Sequence, residues 1–212
     1  MRMRKKKHTD DRIAACGEYL VADPASLKGR WQEKAGGRKI CLEIGCGKGT
    51  FTCEMAKRHP EYFFVAVEKV RDVIVMAMEK AKAENLSNLV FMDADAETLD
   101  EVFAPGELDR LYLNFSDPWP KKKHARRRLT YRSFLAIYRR LLAANGAVYF
   151  KTDNRRLFDF SVAEFTACDY ILCDLTYDLH HSSYEKDNIH TEYENTFSEK
   201  GFRINRVVAY PW

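Results

Sequence analysis

The chain has 212 residues and six cysteines (Cys16, Cys41, Cys46, Cys53, Cys168 and Cys173), and none of these form a Cys-x-x-Cys pair. Several lie inside apolar, strand-like runs. Neither a zinc site nor a secreted disulfide framework is expected, and a reducing, cytoplasmic setting is. No run approaches the ~20 apolar residues needed to span a bilayer, so no membrane partner is expected. The basic start Met1-Arg2-Met3-Arg4-Lys5-Lys6-Lys7 is not followed by an apolar stretch, which excludes the pattern of a signal peptide. The sequence also lacks internal repeats and low-complexity segments.

What is present is ample material for one core: 46% of residues are hydrophobic. The length is generous for one domain and short for two of ordinary size. The formal net charge is +4, but its distribution matters more. Arg2, Arg4, Lys5, Lys6 and Lys7 form one basic tract, and Lys121 to Arg128 holds six Lys or Arg in eight positions. The remainder is net acidic. An acidic body with two cationic tracts suits an anionic polymer that docks at particular places.

Residues 1–38 are polar and read as a basic N-terminal extension, with Gly36-Gly37 as a hinge before a domain spanning 39–212. Strand and helix patterns then alternate. Ile40–Ile44, Phe63–Val67, Leu89–Met92, Leu111–Phe115 and Ala147–Lys151 read as strands. Helices are expected over Thr50–Arg58, Val70–Glu84, Glu97–Phe103, Tyr131–Ala144 (stopped by Asn145-Gly146) and Arg155–Thr166. Tyr170–Leu179 and Arg203–Tyr210 read as two late strands without a helix between them. The pattern predicts an α/β fold: a mostly parallel sheet with helices on both faces and an antiparallel C-terminal strand pair. Ligands of such sheets bind at the carboxyl ends of the strands.

Glu43-Ile44-Gly45-Cys46-Gly47-Lys48-Gly49 closes the first strand. The spacing of Gly45, Gly47 and Gly49 is neither that of a dinucleotide fingerprint nor that of a P-loop, which disfavours hydride transfer and NTP hydrolysis. Glu43 can meet a cationic amino-acid group. Glu68, ending the second strand, can accept from both hydroxyls of a ribose. Asp95 after the third strand can accept from an adenine amino group, and Asp93 competes for that role. Acids after three consecutive strands suit an adenosine ligand that carries positive charge and no phosphate, which describes S-adenosylmethionine.

Asn114-Phe115-Ser116-Asp117-Pro118-Trp119-Pro120 joins an acid directly to the cationic run Lys121-Lys122-Lys123-His124-Ala125-Arg126-Arg127-Arg128. The prolines stiffen the loop and forbid helix. The cations offer phosphate sites beside the acid. A methyl donor next to an RNA-like grip suggests nucleic-acid methylation. Guanine N7 carries an exposed lone pair in the neutral base, so no general base is required. A fixed carboxylate such as Asp117 can align the base and offset its growing positive charge. Asp153 is a second acid near the pocket. In Asn188-Ile189-His190-Thr191-Glu192-Tyr193-Glu194-Asn195, Glu192 or Glu194 could accept from the guanine edge while Tyr193 stacks. Which of Asp153, Glu192 and Glu194 does so is left open. His180, His181 and His190 are expected to be structural or surface residues, with no second cluster converging on them.

At these motifs, over nearly the whole chain, the sequence resembles the bacterial tRNA (guanine-N7)-methyltransferase family, which modifies the variable-loop guanine at tRNA position 46. The most specific parts are Phe115-Ser116-Asp117-Pro118-Trp119-Pro120-Lys121 with its basic tail, and Thr191-Glu192-Tyr193-Glu194. The resemblance implies a Rossmann-like class I methyltransferase that uses S-adenosylmethionine without metal. Cofactor contacts would come from Glu43, Gly45, Gly47, Gly49, Glu68, Asp95, Ala96 and Asp117, with Asp117 also catalytic. Lys121, Asp153, Thr191, Glu192, Tyr193 and Glu194 would meet the tRNA guanine or its surroundings, and Lys123, His124, Ala125, Arg126, Arg127 and Arg128 the RNA backbone. No obligate protein partner is expected, and the choice between monomer and homodimer is left open. Two other readings compete: a methyltransferase for another substrate, which would have little use for Lys121–Arg128, and a non-catalytic RNA-binding module, which would be expected to have lost the cofactor acids or glycines.

Overall fold

A computed structural model describes residues 8–211; the basic tract at residues 2–7 lies outside the described residues. Seven strands form one sheet: β1 (Lys39–Ile44), β2 (Tyr62–Val67), β3 (Leu89–Met92), β4 (Leu108–Asn114), β5 (Leu142–Thr152), β6 (Tyr170–Thr176) and β7 (Asn205–Pro211). Their spatial order is β3-β2-β1-β4-β5-β7-β6. The first five run parallel, and β7 enters antiparallel between β5 and β6. All five parallel strands therefore end on one edge of the sheet. The strand order reverses between β1 and β4, the place where such folds leave a crevice for ligands.

The apolar alternation along the central strands feeds two cores. Ile40, Leu42, Ile44, Phe63, Val65 and Val67 face one side. There they meet α2 (Trp31–Ala35), α5 (Leu99–Val102), α6 (Arg132–Leu141) and α7 (Arg155–Ala167). Cys41, Phe64 and Ala66 face the other side. That side is covered by α1 (Thr9–Ala15), α3 (Thr50–Arg58) and α4 (Arg71–Ala83). A strand buried on both faces has no polar stripe, so these runs read as continuous apolar segments.

The described part of the segment before β1 is packed on the domain. Trp31 is fully buried, stacks on Phe103 at 4.9 Å and donates its indole N–H to the Val102 carbonyl at 2.9 Å. The Val21 N–H donates to the Phe91 carbonyl at 2.9 Å. The Thr9 hydroxyl donates to the Asp72 carboxylate on α4.

Two sequence expectations need correction. The helix expected to reach Ala144 ends at Leu141, and Asn145-Gly146 lies inside β5 rather than stopping a helix. The β4–β5 register shifts between Leu108 and Arg110, and the backbones approach so closely there that a Cβ on Gly146 would lie 2.9 Å from the Leu108 carbonyl oxygen. A glycine at a strand irregularity marks close backbone approach as readily as it marks a helix stop. The excursion between β6 and β7 is also not helix-free. It carries two 3₁₀ turns and α8 (Glu192–Ser198), whose first turn is capped by the Thr191 hydroxyl accepting from the Glu194 N–H at 3.1 Å.

Candidate active site

A cavity of about 600 Å³ opens at the carboxyl edge, between the ends of β1 and β4. Its wall includes Gly45 from the glycine loop, Glu68 after β2, Asp95 and Ala96 after β3, and Ser116, Asp117 and Trp119 after β4. Three strand ends thus deliver three carboxylates to one space.

The glycine loop is held from below. The Gly45 and Cys46 N–H groups both donate to the Val67 carbonyl, at 2.8 and 3.0 Å. Glu68 bridges the rims: one oxygen accepts from the Gly47 N–H at 3.2 Å, the other from the Val70 N–H at 3.0 Å. Gly49 sits at φ 77°, and a Cβ there would lie 2.6 Å from that of Ala77 on α4. The loop can lie this close to the helix only because that position has no side chain.

Glu43, at the end of β1, lies beneath the glycine loop. It is buried and outside the cavity wall, accepting from the Thr52 hydroxyl and from Asn114 Nδ2 (the latter at 2.9 Å). Burial pushes its carboxyl up to about 7, against the opposing hydrogen bonds from Thr52 and Asn114. Of the competing acids after β3, Asp95 lines the cavity and caps the 3₁₀ turn that follows, whereas Asp93 pairs with Arg71 at 3.0 Å.

The Asp117 loop is tightly turned. Phe115 at φ 53° and Trp119 at φ 41° bracket it in the left-handed region, where bulky side chains cost of order 1–3 kcal/mol and tend to mark functional sites. Arg128 holds the loop in shape: its guanidinium donates to the carbonyls of Pro118 and Trp119, both at 3.0 Å, and lies 4.2 Å over the Phe160 ring. Of the expected RNA-facing cations, Arg128 is thus turned inward. Lys121, Lys123, Arg126 and Arg127 are exposed on or beside the 3₁₀ segment Lys122–Arg127, with His124 and Ala125 half-buried. Arg127 also lies 4.9 Å over the Trp119 ring and reaches the cavity wall.

The acids of the last helix separate sharply. Glu194 is fully buried and accepts from Lys151 Nζ at 2.6 Å, from Asn188 Nδ2 at 2.7 Å and from His180 Nε2 at 2.8 Å. Burial alone would raise its pKa, but these partners, Lys151 foremost, hold it below the usual carboxylate range. Glu192 accepts from the Thr50 hydroxyl at 2.7 Å. Tyr193 stacks on Phe197 at 4.3 Å and meets Phe115 at 5.0 Å, and its phenol lies close to the Asp153 carboxylate. Burial raises the Tyr193 phenol, as do the nearby charges of Asp153 and Asp117. Tyr193 therefore lies beside Asp153 and within reach of the Asp117 charge, while Glu192 and Glu194 are engaged elsewhere.

Three contributors escaped the sequence reading: Asn114, Thr52 and Lys151. For Lys151 a signal existed, since it is a lone charge at the end of an apolar strand. The expectation that nothing converges with the histidines also fails. The rings of His180 and His190 stack at 4.7 Å, and their nitrogens lie within 4.8 Å of one another and of a Glu194 carboxylate oxygen. His180 helps seat α8 through Glu194, and His190 through Asn195 at 3.0 Å.

The wall fits a cationic adenosine ligand. Its four carboxylates, Glu68, Asp95, Glu97 and Asp117, outnumber its two cations, Lys69 and Arg127, and the buried Ser116 hydroxyl on it has no protein partner. No helix of the described residues is long and apolar enough to cross a membrane.

Comparisons with known proteins agree with this geometry. Residues 37–207 match a family described as "Putative methyltransferase". A tRNA (guanine-N(7)-)-methyltransferase of Geobacillus kaustophilus is 46% identical, covering 99% of this chain and 96% of its own. One from Brevibacillus brevis is 48% identical over 92% and 93% of the two chains. Among solved structures, an antibiotic-related methyltransferase superposes with TM-score 0.64 at 18% identity, covering 87% of this chain and 94% of its own. The 16S rRNA methyltransferase KamB gives 0.63 at 15%, over 85% and 91%. These distant structures establish the class I methyltransferase fold; the near-full-length relatives establish more, and the chain belongs to the tRNA (guanine-N(7)-)-methyltransferase family.

Proposed function

We propose that Asp117 aligns the variable-loop guanine at tRNA position 46 for methylation at N7 and offsets the charge that grows on the purine. The chain is a tRNA (guanine-N7)-methyltransferase with S-adenosylmethionine as methyl donor. When bound, the donor supplies a methyl group on a positively charged sulfur, open to attack by a lone pair. Everything else falls to the protein. In this reading Glu68 would accept from the ribose hydroxyls, Asp95 and Ala96 would meet the adenine, and Gly45 would allow close backbone approach; all four line the cavity.

One observation carries the reading: Asp117 lies on the cavity wall, in the loop that runs straight into the exposed cationic turn, and its charge reaches Tyr193. A guanine base inserted beside Tyr193 would bring its N1–H and N2–H₂ to Asp153, a partly buried carboxylate able to accept both. Neutral guanine N7 needs no base, so alignment and electrostatics suffice. Lys121, Lys123, Arg126 and Arg127 supply the phosphate contacts, with His124 and Ala125 in the same turn. Thr191 and Glu194 act indirectly, by seating the helix that carries Tyr193. We assign residues 39–212 the catalytic role and residues 1–38 an accessory one, in a cytoplasmic enzyme needing no obligate protein partner, as monomer or homodimer.

The test is methyl transfer from labelled S-adenosylmethionine to unmodified tRNA transcript, with a second transcript whose variable-loop guanine is replaced. N7-methylguanosine present in the first and missing in the second is expected. A product that persists in the second would move the target elsewhere in the tRNA.

A further inference from the structure

A second cavity, of about 510 Å³, lies on the α3 side of the sheet, under the segment Tyr184–Ile189. It shares only Asn114 with the wall of the first cavity. Its size falls within the ~300–1,000 Å³ typical of small-molecule sites.

Its floor is two guanidinium groups among tyrosines. Arg110 on β4 donates to the Tyr62 hydroxyl at 2.9 Å and to that of Tyr112 at 3.4 Å, and lies 4.6 Å over the Tyr62 ring. No described carboxylate forms an ion pair with it. Arg206 on β7 reaches Asp174 only at 3.4 Å, and its buried Nη1 has no hydrogen-bond partner. Its guanidinium packs 4.8 Å over the Tyr184 ring. Exposed Lys186 and Arg58 stand at the rim, the latter paired with Glu54 at 2.7 Å. Lys151 on the inner wall is committed to Glu194. Against these five cations the wall holds two carboxylates, Asp174 and Asp187.

An unpaired guanidinium withdrawn from water is costly unless an anion completes it. The planar N–H fork matches a phosphate in two-point fashion. Of the ring-bearing wall residues, Tyr149 and Tyr184 are only partly buried and offer ring surface to a planar group. We propose that this cavity is a second binding site, for a nucleotide: a planar base with a phosphate held between Arg110 and Arg206. The source is either a free mononucleotide or a nucleotide of the bound tRNA.

The test uses the full-length protein with the first cavity saturated by S-adenosylhomocysteine, so that an adenosine group cannot bind there. AMP and GMP are titrated calorimetrically beside their nucleosides and inorganic phosphate. The nucleotides should bind at least tenfold more tightly than either fragment. Arg206→Gln and Tyr184→Ala, both at partly buried positions outside the first cavity, should each weaken nucleotide binding tenfold or more and leave S-adenosylhomocysteine affinity unchanged. Displacement of the nucleotide by tRNA transcript would assign the site to tRNA; simultaneous binding would assign it to a free nucleotide. No binding of AMP or GMP, or binding untouched by both substitutions, would overturn the proposal. Loss of methyl transfer alone would bear on the first cavity and not on this one.

Discussion

The Lys151 ammonium and the Glu194 carboxylate lie 2.6 Å apart, with side-chain exposures of 7% and 0%. Lys151 Nζ spends its other donors on the Ile189 carbonyl at 2.8 Å and Asn188 Oδ1 at 3.0 Å. This buried pair joins the end of β5 to the helix that presents Tyr193.

Breaking the pair on one side leaves an uncompensated buried charge, so Glu194→Ala should destabilise the fold by about 3–5 kcal/mol. Replacing both partners by apolar residues, Lys151→Met with Glu194→Leu, should recover part of that loss. Urea unfolding of the three proteins measures this; equal losses in the single and double variants would refute the charge argument.

Asp117→Ala should lower kcat about 10²–10³-fold, the usual effect of removing one charge-stabilising group. tRNA affinity should stay within a few-fold, because the exposed cations carry the phosphate contacts. Near-normal turnover would remove Asp117 from the chemistry.

The cationic turn should divide in two. Lys123→Ala with Arg126→Ala should weaken tRNA binding and flatten the dependence of log K on log salt by about one unit for each phosphate no longer neutralised. Arg128→Ala should instead damage turnover and thermal stability with less change in that slope, since its guanidinium is bonded to the carbonyls of Pro118 and Trp119. Identical slopes in all variants would mean that the turn is merely solvated.

Glu43 makes folding pH-dependent in an unusual direction. Its folded-state pKa, pushed up to about 7 by burial, exceeds the ~4.3 of an unfolded glutamate. Between these values the folded state binds more protons, so stability falls as pH rises from about 4.3 to 7 and then levels off. Glu43→Gln keeps hydrogen-bonding capacity toward Thr52 and Asn114 without ionising. It should flatten that segment of the stability–pH curve, measured by denaturant midpoints in the absence of ligand. An unaltered slope would show that Glu43 is not its source.

Gly49→Ala should cost roughly 1–3 kcal/mol, through the left-handed backbone and the overpacking against Ala77. Thermal unfolding checks it, and a stabilised variant would contradict the close approach described above.

Much of the fold was legible because it is written locally. Thr50–Arg58 and Leu89–Met92 coincide with the elements formed, since apolar periodicity and flanking turn residues act over a few residues. The helix expected through Ala144 was not, because a strand irregularity at Gly146 and a helix stop use the same residue. The burial of Trp31 was hidden for a related reason: one aromatic in a polar segment shows its worth only when Phe103, far along the chain, stacks on it.

The site divides along the same line. The sequence by itself determined that carboxylates follow the parallel strands and that Asp117 adjoins a polycation, because strand order and chain adjacency put them there. Only the tertiary structure decided which charged groups are free to act. Glu43 is buried with Thr52 and Asn114, Glu194 with Lys151, and Arg128 is bonded to two carbonyls of its own loop, whereas Glu68 and Asp95, though held by backbone N–H groups, and Asp117 reach the cavity wall. A buried charge must find a partner, and the partner's place is set by packing between segments distant in sequence.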